Sequence, residues 1–216
     1  MKTMRKLFLC AVLVAGSSVA PAAVLLDEGF DNIGTLAGSG WVMTNNSTPG
    51  GSSSWFQGNT GVFTSATGDA SYIGADFLSA GAGGNVDNWL ITPVLSLLVN
   101  TTLTFSTRTN GAVPGDNLEV LYSLGSANTA DFFSLGTIGT DFAYPTDWTS
   151  FIGSFSSAPM DVRFAFRYRV TDTSVNGDYI GLDSVRVTSV PEPGTLALIS
   201  LCLLALPLAM RRRIRA

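Results

Sequence analysis

Histidine is absent from the 216 residues, lysine occurs only as Lys2 and Lys6, and cysteine only as Cys10 and Cys202. The long middle of the chain therefore offers no imidazole, amine or thiol. A Ser-His-Asp triad, a Cys-His pair, a histidine-ligated zinc and a lysine Schiff base are excluded there, because each lacks its proton carrier, nucleophile or ligand. Disulfides are excluded from the middle as well, so its stability must come from an apolar core. Charge is scarce, at 13% of residues, and unevenly spread. Seven of the twelve basic residues lie within 1–6 and 211–215, whereas all sixteen acidic residues fall between Asp27 and Glu192. That span holds five basic against sixteen acidic residues, a formal charge of −11. Such a body repels a phosphate backbone, which argues against nucleic acid as a partner and in favour of divalent cations.

What the chain does have is clear punctuation at both ends. Residues 1–23 read as a secretory signal peptide, with a basic start, an apolar run over 7–15 and small residues over 16–23. Residues 190–216 open on the stiff Val190-Pro191-Glu192-Pro193-Gly194, continue as an apolar stretch over 195–210 and finish on the basic tail 211–215. As a helix the apolar stretch reaches ~24 Å, somewhat short of the ~30 Å hydrocarbon layer. Tilt or local thinning would make up the difference, with Arg211, Arg212 and Arg213 as the cytoplasmic stop that leaves the body outside.

Between them, residues 24–189 are rich in Gly, Ser, Thr and aromatics, and alternation of apolar with polar residues dominates. In the clearest strand Val162, Phe164, Phe166, Tyr168 and Val170 share one face, with Asp161, Arg163, Arg167 and Arg169 on the other. Leu103, Phe105 and Thr107, and again Leu118, Val120 and Tyr122, follow the same period. Shorter strands are expected over 41–44, 54–57, 71–75, 89–95 and 148–155, with turns at Pro49-Gly50-Gly51, 81–84, Asn110-Gly111 and 114–116. Near the end, Ile180 and Leu182 differ in parity from Val185 and Val187, so burying both pairs demands an inserted residue: a β-bulge at Asp183-Ser184. About ten short strands separated by turns predict an all-β fold, a jelly-roll β-sandwich flanked by an N-terminal signal helix and a C-terminal transmembrane helix.

The tail, with Pro191-Glu192-Pro193, one short apolar helix and a terminal arginine cluster, resembles the PEP-CTERM sorting signal of Gram-negative bacteria. In the body, Asp27-Glu28-Gly29-Phe30-Asp31, Asp87-Asn88-Trp89-Leu90-Ile91-Thr92-Pro93 and Asp178-Tyr179-Ile180-Gly181-Leu182-Asp183 resemble the choice-of-anchor J domain, related to the cleaved-adhesin and MAM-like jelly rolls. The first resemblance implies that Pro191, Glu192 and Pro193 mark a substrate of an exosortase-type sorting enzyme. It also implies export across the inner membrane, a membrane-anchored intermediate, and delivery to the cell surface or extracellular matrix. The second implies first and last strands lying close together, with Glu28 and Asp183 contributing to a structural calcium ion. Asp31, Asp178 or backbone carbonyls would complete its shell.

Trp41, Trp55, Trp89 and Trp148, with Tyr72 and Tyr144, read chiefly as core and rim packing. Trp55 and Phe56, behind Gly51-Ser52-Ser53-Ser54, are the aromatics best placed for exposure and glycan contact. Arg163, Arg167 and Arg169 read as a solvated row balanced by nearby acids. The function expected is a secreted, non-enzymatic adhesion or matrix module that binds calcium and glycans such as an exopolysaccharide. Two alternatives stand beside it: a glycan-active enzyme using paired carboxylates, and an ice- or surface-binding protein, although Thr101, Thr102, Thr104, Thr107 and Thr109 are too few and too mixed in parity for the flat, regular array ice binding needs.

Overall fold

Alternation in the strand around Phe166 sets the architecture. In the computed structural model, which describes residues 22–190 apart from 70, 112, 113, 140–142 and 157, that strand runs Met160–Val170. Val162, Phe164, Phe166, Tyr168 and Val170 are all buried in the main apolar cluster, as period-two patterning requires. The expected signal segment up to residue 21 and the sorting tail from residue 191 lie outside the described residues. Among the described residues no helix is long and apolar enough to cross a membrane.

Thirteen strands follow in chain order: β1 (Ala23–Glu28), β2 (Val42–Asn45), β3 (Thr48–Gly50), β4 (Phe56–Gln57), β5 (Ile73–Asp76), β6 (Ala80–Ile91), β7 (Leu95–Leu97), β8 (Asn100–Thr109), β9 (Asn117–Ser123), β10 (Phe133–Ile138), β11 (Thr149–Ser156), β12 (Met160–Val170) and β13 (Tyr179–Val190). One sheet has the order β11-β8-β13-β5-β4, with β1 also on β13; the other has β10-β9-β12-β6-β2, with β3 on β6 and β7 on β12. We call them sheet A and sheet B. They form a two-layer sandwich: Phe105 of β8 meets Phe166 of β12 edge-on at 5.1 Å, and Phe155 of β11 meets Phe164 of β12 at 5.3 Å.

The expected bulge is present. On β13, Asp183 stands opposite Ser106 but Arg186 opposite Thr104, so the last strand carries one residue more than β8. Ser184 takes it up in the left-handed region (φ 54°). Ile180, Leu182, Val185 and Val187 are all buried as a result. Only Tyr179–Leu182 pairs with β5, and only the stretch from Val185 to Ser189 pairs with β1.

One expectation needs correction, and one strand was not anticipated. The glycine run 81–84, read as a turn, is part of β6. A Cβ on Gly84 would lie 2.8 Å from the Gly81 carbonyl oxygen and from Pro49 Cδ, so glycine is there to let β3 approach and not to break the strand. β10 escaped notice because Phe133, Leu135 and their alternating neighbours are all exposed, leaving no buried face to detect. Of the β8 threonines of mixed parity, Thr101, Thr107 and Thr109 are buried.

Phe166→Ala should cost about 3–5 kcal/mol, through loss of transfer free energy and the cavity left under Phe105. Arg169→Ala, whose side chain is 54% exposed and 3.9 Å from Glu119, should cost no more than about 0.5 kcal/mol. Chemical denaturation of the two variants tests this, and equal costs would refute the assigned faces of β12.

Candidate functional site

The outer face of sheet B carries the most organised polar surface. Strand register builds it: Trp89 of β6, Arg167 of β12 and Glu119 of β9 stand opposite one another across three strands. Asp87, Arg169 and Asn117 form the parallel row. Directly opposed residues share a face within ~5.5 Å, so the two rows interact. The Arg167 guanidinium lies 4.7 Å over the Trp89 ring. Asp87 Oδ1 accepts from both Trp89 Nε1 and Arg167 Nε, each at 2.6 Å, and Glu119 Oε2 accepts from Arg167 Nη1 at 3.2 Å. The hydrogen bond to Asp87 is the main reason the Arg167 pKa is pushed up, so its charge is permanent.

Trp89 is therefore covered by arginine on one side and by Phe132 at 5.6 Å on another, and with Ile91, Leu121 and Ala165 it makes a second, outer apolar cluster. The arginine row is balanced by acids as expected, but it also roofs this cluster, and Arg163 instead donates to the carbonyls of Gly40, Thr92 and Gly125. Beside the ladder opens a groove of about 350 Å³ whose walls include Asn46, Thr48, Asn85, Asp87, Arg167 and Arg169. Amides, a hydroxyl and fixed guanidinium groups around a rigid floor suit a polyhydroxylated ligand, which needs several directed donors and acceptors at once.

The expected calcium residues sit at a second place, where β1 gives way to β5 along the edge of β13. Glu28 stands opposite Val185 and Ile73 opposite Leu182, so Asp183 and Ser184 occupy the gap between them. Asp183, 1% exposed, accepts from the Ala66 N–H at 2.8 Å and the Ser184 N–H at 2.5 Å. Burial pushes its pKa up, and the nearby Asp69 adds to the effect. Glu28 accepts from the Phe30 N–H at 2.8 Å. Ser71 Oγ lies 2.6 Å from Asp31 Oδ1 and 2.9 Å from Asp69 Oδ1, linking these acids beside the gap. Hydroxyls, first that of Thr67, hold Asp69 well below the usual carboxylate range. Asp178 stands apart, its N–H bound to Asp116 and its carboxylate to Asn110. Among the described residues no three acidic side chains converge as a ready metal cage.

The expected glycan aromatics are placed differently. Trp55 is 4% exposed in the main core. Trp55 stands just ahead of β4 and packs into the main core, whereas Phe56, the first residue of β4, packs against the outer aromatic cluster. Phe56 is half-buried in turn, 5.6 Å from Tyr179 in a third cluster with Phe63, Tyr72 and Trp148. This cluster fastens residues 59–64 across the outside of sheet A: Tyr179 OH accepts from Asn59 N–H, and Trp148 Nε1 donates to the Thr64 carbonyl. Gly181 and Gly74 are its sequence signal. They stand opposite each other, and a Cβ on Gly181 would come within 2.8 Å of Phe63 and Trp148.

The other buried acid, Asp116, is raised in pKa by burial and accepts from Thr109 Oγ1, Tyr168 OH and the Asp178 N–H. With Asp87 and Glu119 tied to Arg167 and Asp116 capped by three donors, these carboxylates serve as structural acceptors.

Residues 189–213 match the PEP-CTERM protein-sorting motif. No curated protein matches the chain. Among solved structures, the K3 cleaved adhesin domain of Lys-gingipain from Porphyromonas gingivalis aligns over 78% of this chain and 99% of its own, at 23% identity and a TM-score of 0.54. The K1 domain of the same protein aligns over 76% and 97%, at 20% identity and 0.54, and the K2 domain over 75% and 98%, at 18% and 0.53. The chain carries a PEP-CTERM sorting motif directly behind a β-sandwich that has the fold of the cleaved adhesin domains.

Proposed function

We propose that this protein is an exported, surface-directed binding module without catalytic activity, which holds glycans of the cell surface or matrix in the groove beside the Trp89–Arg167–Glu119 row. That row is the observation that carries the reading. It holds the permanently charged Arg167 guanidinium in one orientation, between Asp87 and Glu119, at the wall of the groove. The cleaved-adhesin fold and the sorting motif agree with an extracellular address. Arg169→Ala and Asn46→Ala should each weaken binding of an exopolysaccharide fragment roughly tenfold or more, about 1.4 kcal/mol, while leaving the melting temperature unchanged. Calorimetric titration reads this directly, and unaltered affinity in both variants would remove the groove from the proposal.

The sorting motif gives the second element. Pro191, Glu192 and Pro193 are the mark read by an exosortase-type enzyme while the apolar segment 195–210 and the arginines behind it hold the chain at the inner membrane. Glu192→Ala should be exported normally yet stay unprocessed in the native host. Mass spectrometry of the mature protein tests this, and identical mass and location for variant and wild type would sink it.

The third element is a calcium ion at the β1–β13 junction, held by Glu28 and Asp183 with backbone carbonyls and water completing the six to eight oxygens it takes. A buried carboxylate with a raised pKa next to Asp69 supports this reading, because a cation there offsets both desolvation and like-charge repulsion. Without calcium, the folded state binds the Asp183 proton more tightly than the unfolded state does. Its contribution to stability is therefore greatest at low pH and falls as pH rises from the ordinary value of 3.8 through the raised one. Calcium should reverse the loss, adding about 2.7 kcal/mol at a hundred times its dissociation constant. Melting curves across pH with calcium or chelator measure it, and Asp183→Asn should abolish most of the gain. Equal melting temperatures with and without calcium at neutral pH would exclude the site.

A further inference from the structure

Sheet edges expose unpaired N–H and C=O groups, and folded proteins usually guard them with charge, proline, bulges or short strands. Most edges here are guarded in this way. β4 and β3 span two and three residues, and β10 is broken by a register shift between Ser134 and Gly136. β11 is different. It ends sheet A, runs for eight residues (Thr149–Ser156) in unbroken register with β8, and contains neither a charge nor a proline. Its outer face also presents Ile152, which is 73% exposed.

We propose that β11 pairs with β11 of a second copy of this chain, antiparallel about a two-fold axis at Ile152, joining the two A sheets into one. Two features of β11 select a second copy as the occupant. Residues 22–190 hold fifteen acidic and five basic residues, a formal charge of −10, so two copies repel each other over most of their surface and approach best along the strand that carries no charge. The sequence is also self-complementary in this register. Ile152 opposes Ile152 and Ser150 opposes Ser154 on the outer face, while Phe151 opposes Gly153 and Thr149 opposes Phe155 on the inner face. The first two are matched cross-strand pairs, and the aromatic covers the glycine of the opposite strand. An isologous contact of this kind closes on itself and stops at the dimer.

Residues 22–191 form one compact unit, and its described residues build three apolar clusters of their own, so this span is the one to test. Sedimentation of that span should show a reversible monomer–dimer equilibrium. Ile152→Lys, which sets two like charges opposite each other, should raise the dissociation constant roughly tenfold or more with no change in the melting temperature of the monomer. The span has no cysteine, so single cysteines report the register. Directly opposed Cα atoms lie about 4.5–5.5 Å apart, within the range a disulfide bridges. Ile152→Cys should thus oxidise to a covalent dimer far faster than Ser150→Cys, whose partner is Ser154. A monomer at every concentration, open-ended polymers, or equal oxidation of the two cysteine variants would overturn the proposal.

Discussion

Sheet A hangs on β13. Remove that strand and the sheet falls into three unconnected pieces: β11 with β8, β5 with β4, and β1 alone. One strand can hold all three because it changes partner halfway, from β5 to β1, while keeping β8 along its whole length. The bulge at Asp183–Ser184 makes the change possible, since without the extra residue either Ile180 and Leu182 or Val185 and Val187 would face water. Burying four such side chains is worth roughly 1.5–3 kcal/mol each, far more than one residue in the left-handed region costs. The same bulge drives the Asp183 carboxylate into the gap, where it binds two backbone N–H groups. Core closure and the acidic junction are thus two outcomes of one inserted residue.

Both faces of the sandwich are covered, and this distinguishes it from a sheet with one wet side. Sheet A is strapped by residues 59–64 through Phe63, Tyr72 and Trp148; sheet B is roofed by Arg167 over Trp89. With no disulfide available to the body, these outer layers extend the apolar burial that a single inner core provides. At the groove beside Arg169 a face keeps polar groups open to solvent in an ordered arrangement.

Features confined to one strand were legible in the sequence. The two faces of β12 follow from period two, and the bulge from a parity conflict among four aliphatic residues. Cross-strand features were not legible. Trp89, Arg167 and Glu119 are far apart in the chain and become a row only through the register of three strands. Trp55 misled because a glycine-serine stretch before an aromatic suggests an exposed loop, whereas the residue just ahead of β4 packs into the main core. The aromatic strap was equally hidden, although the opposed glycines Gly74 and Gly181 left a trace of it, since outward glycines on neighbouring strands leave room for rings above them.

β13 ends at Val190, and the sorting motif begins at Ser189, inside the strand. The strand that unifies sheet A is thus the last piece of the body to be synthesised and is continuous with the segment that addresses it. Every contact β13 makes with β1 spans more than 150 positions, so the first strand of the body must wait for the last. Completion of the fold and arrival of the address are consequently timed together: a chain cut short within β13 lacks both the finished strand and the sorting segment that follows it.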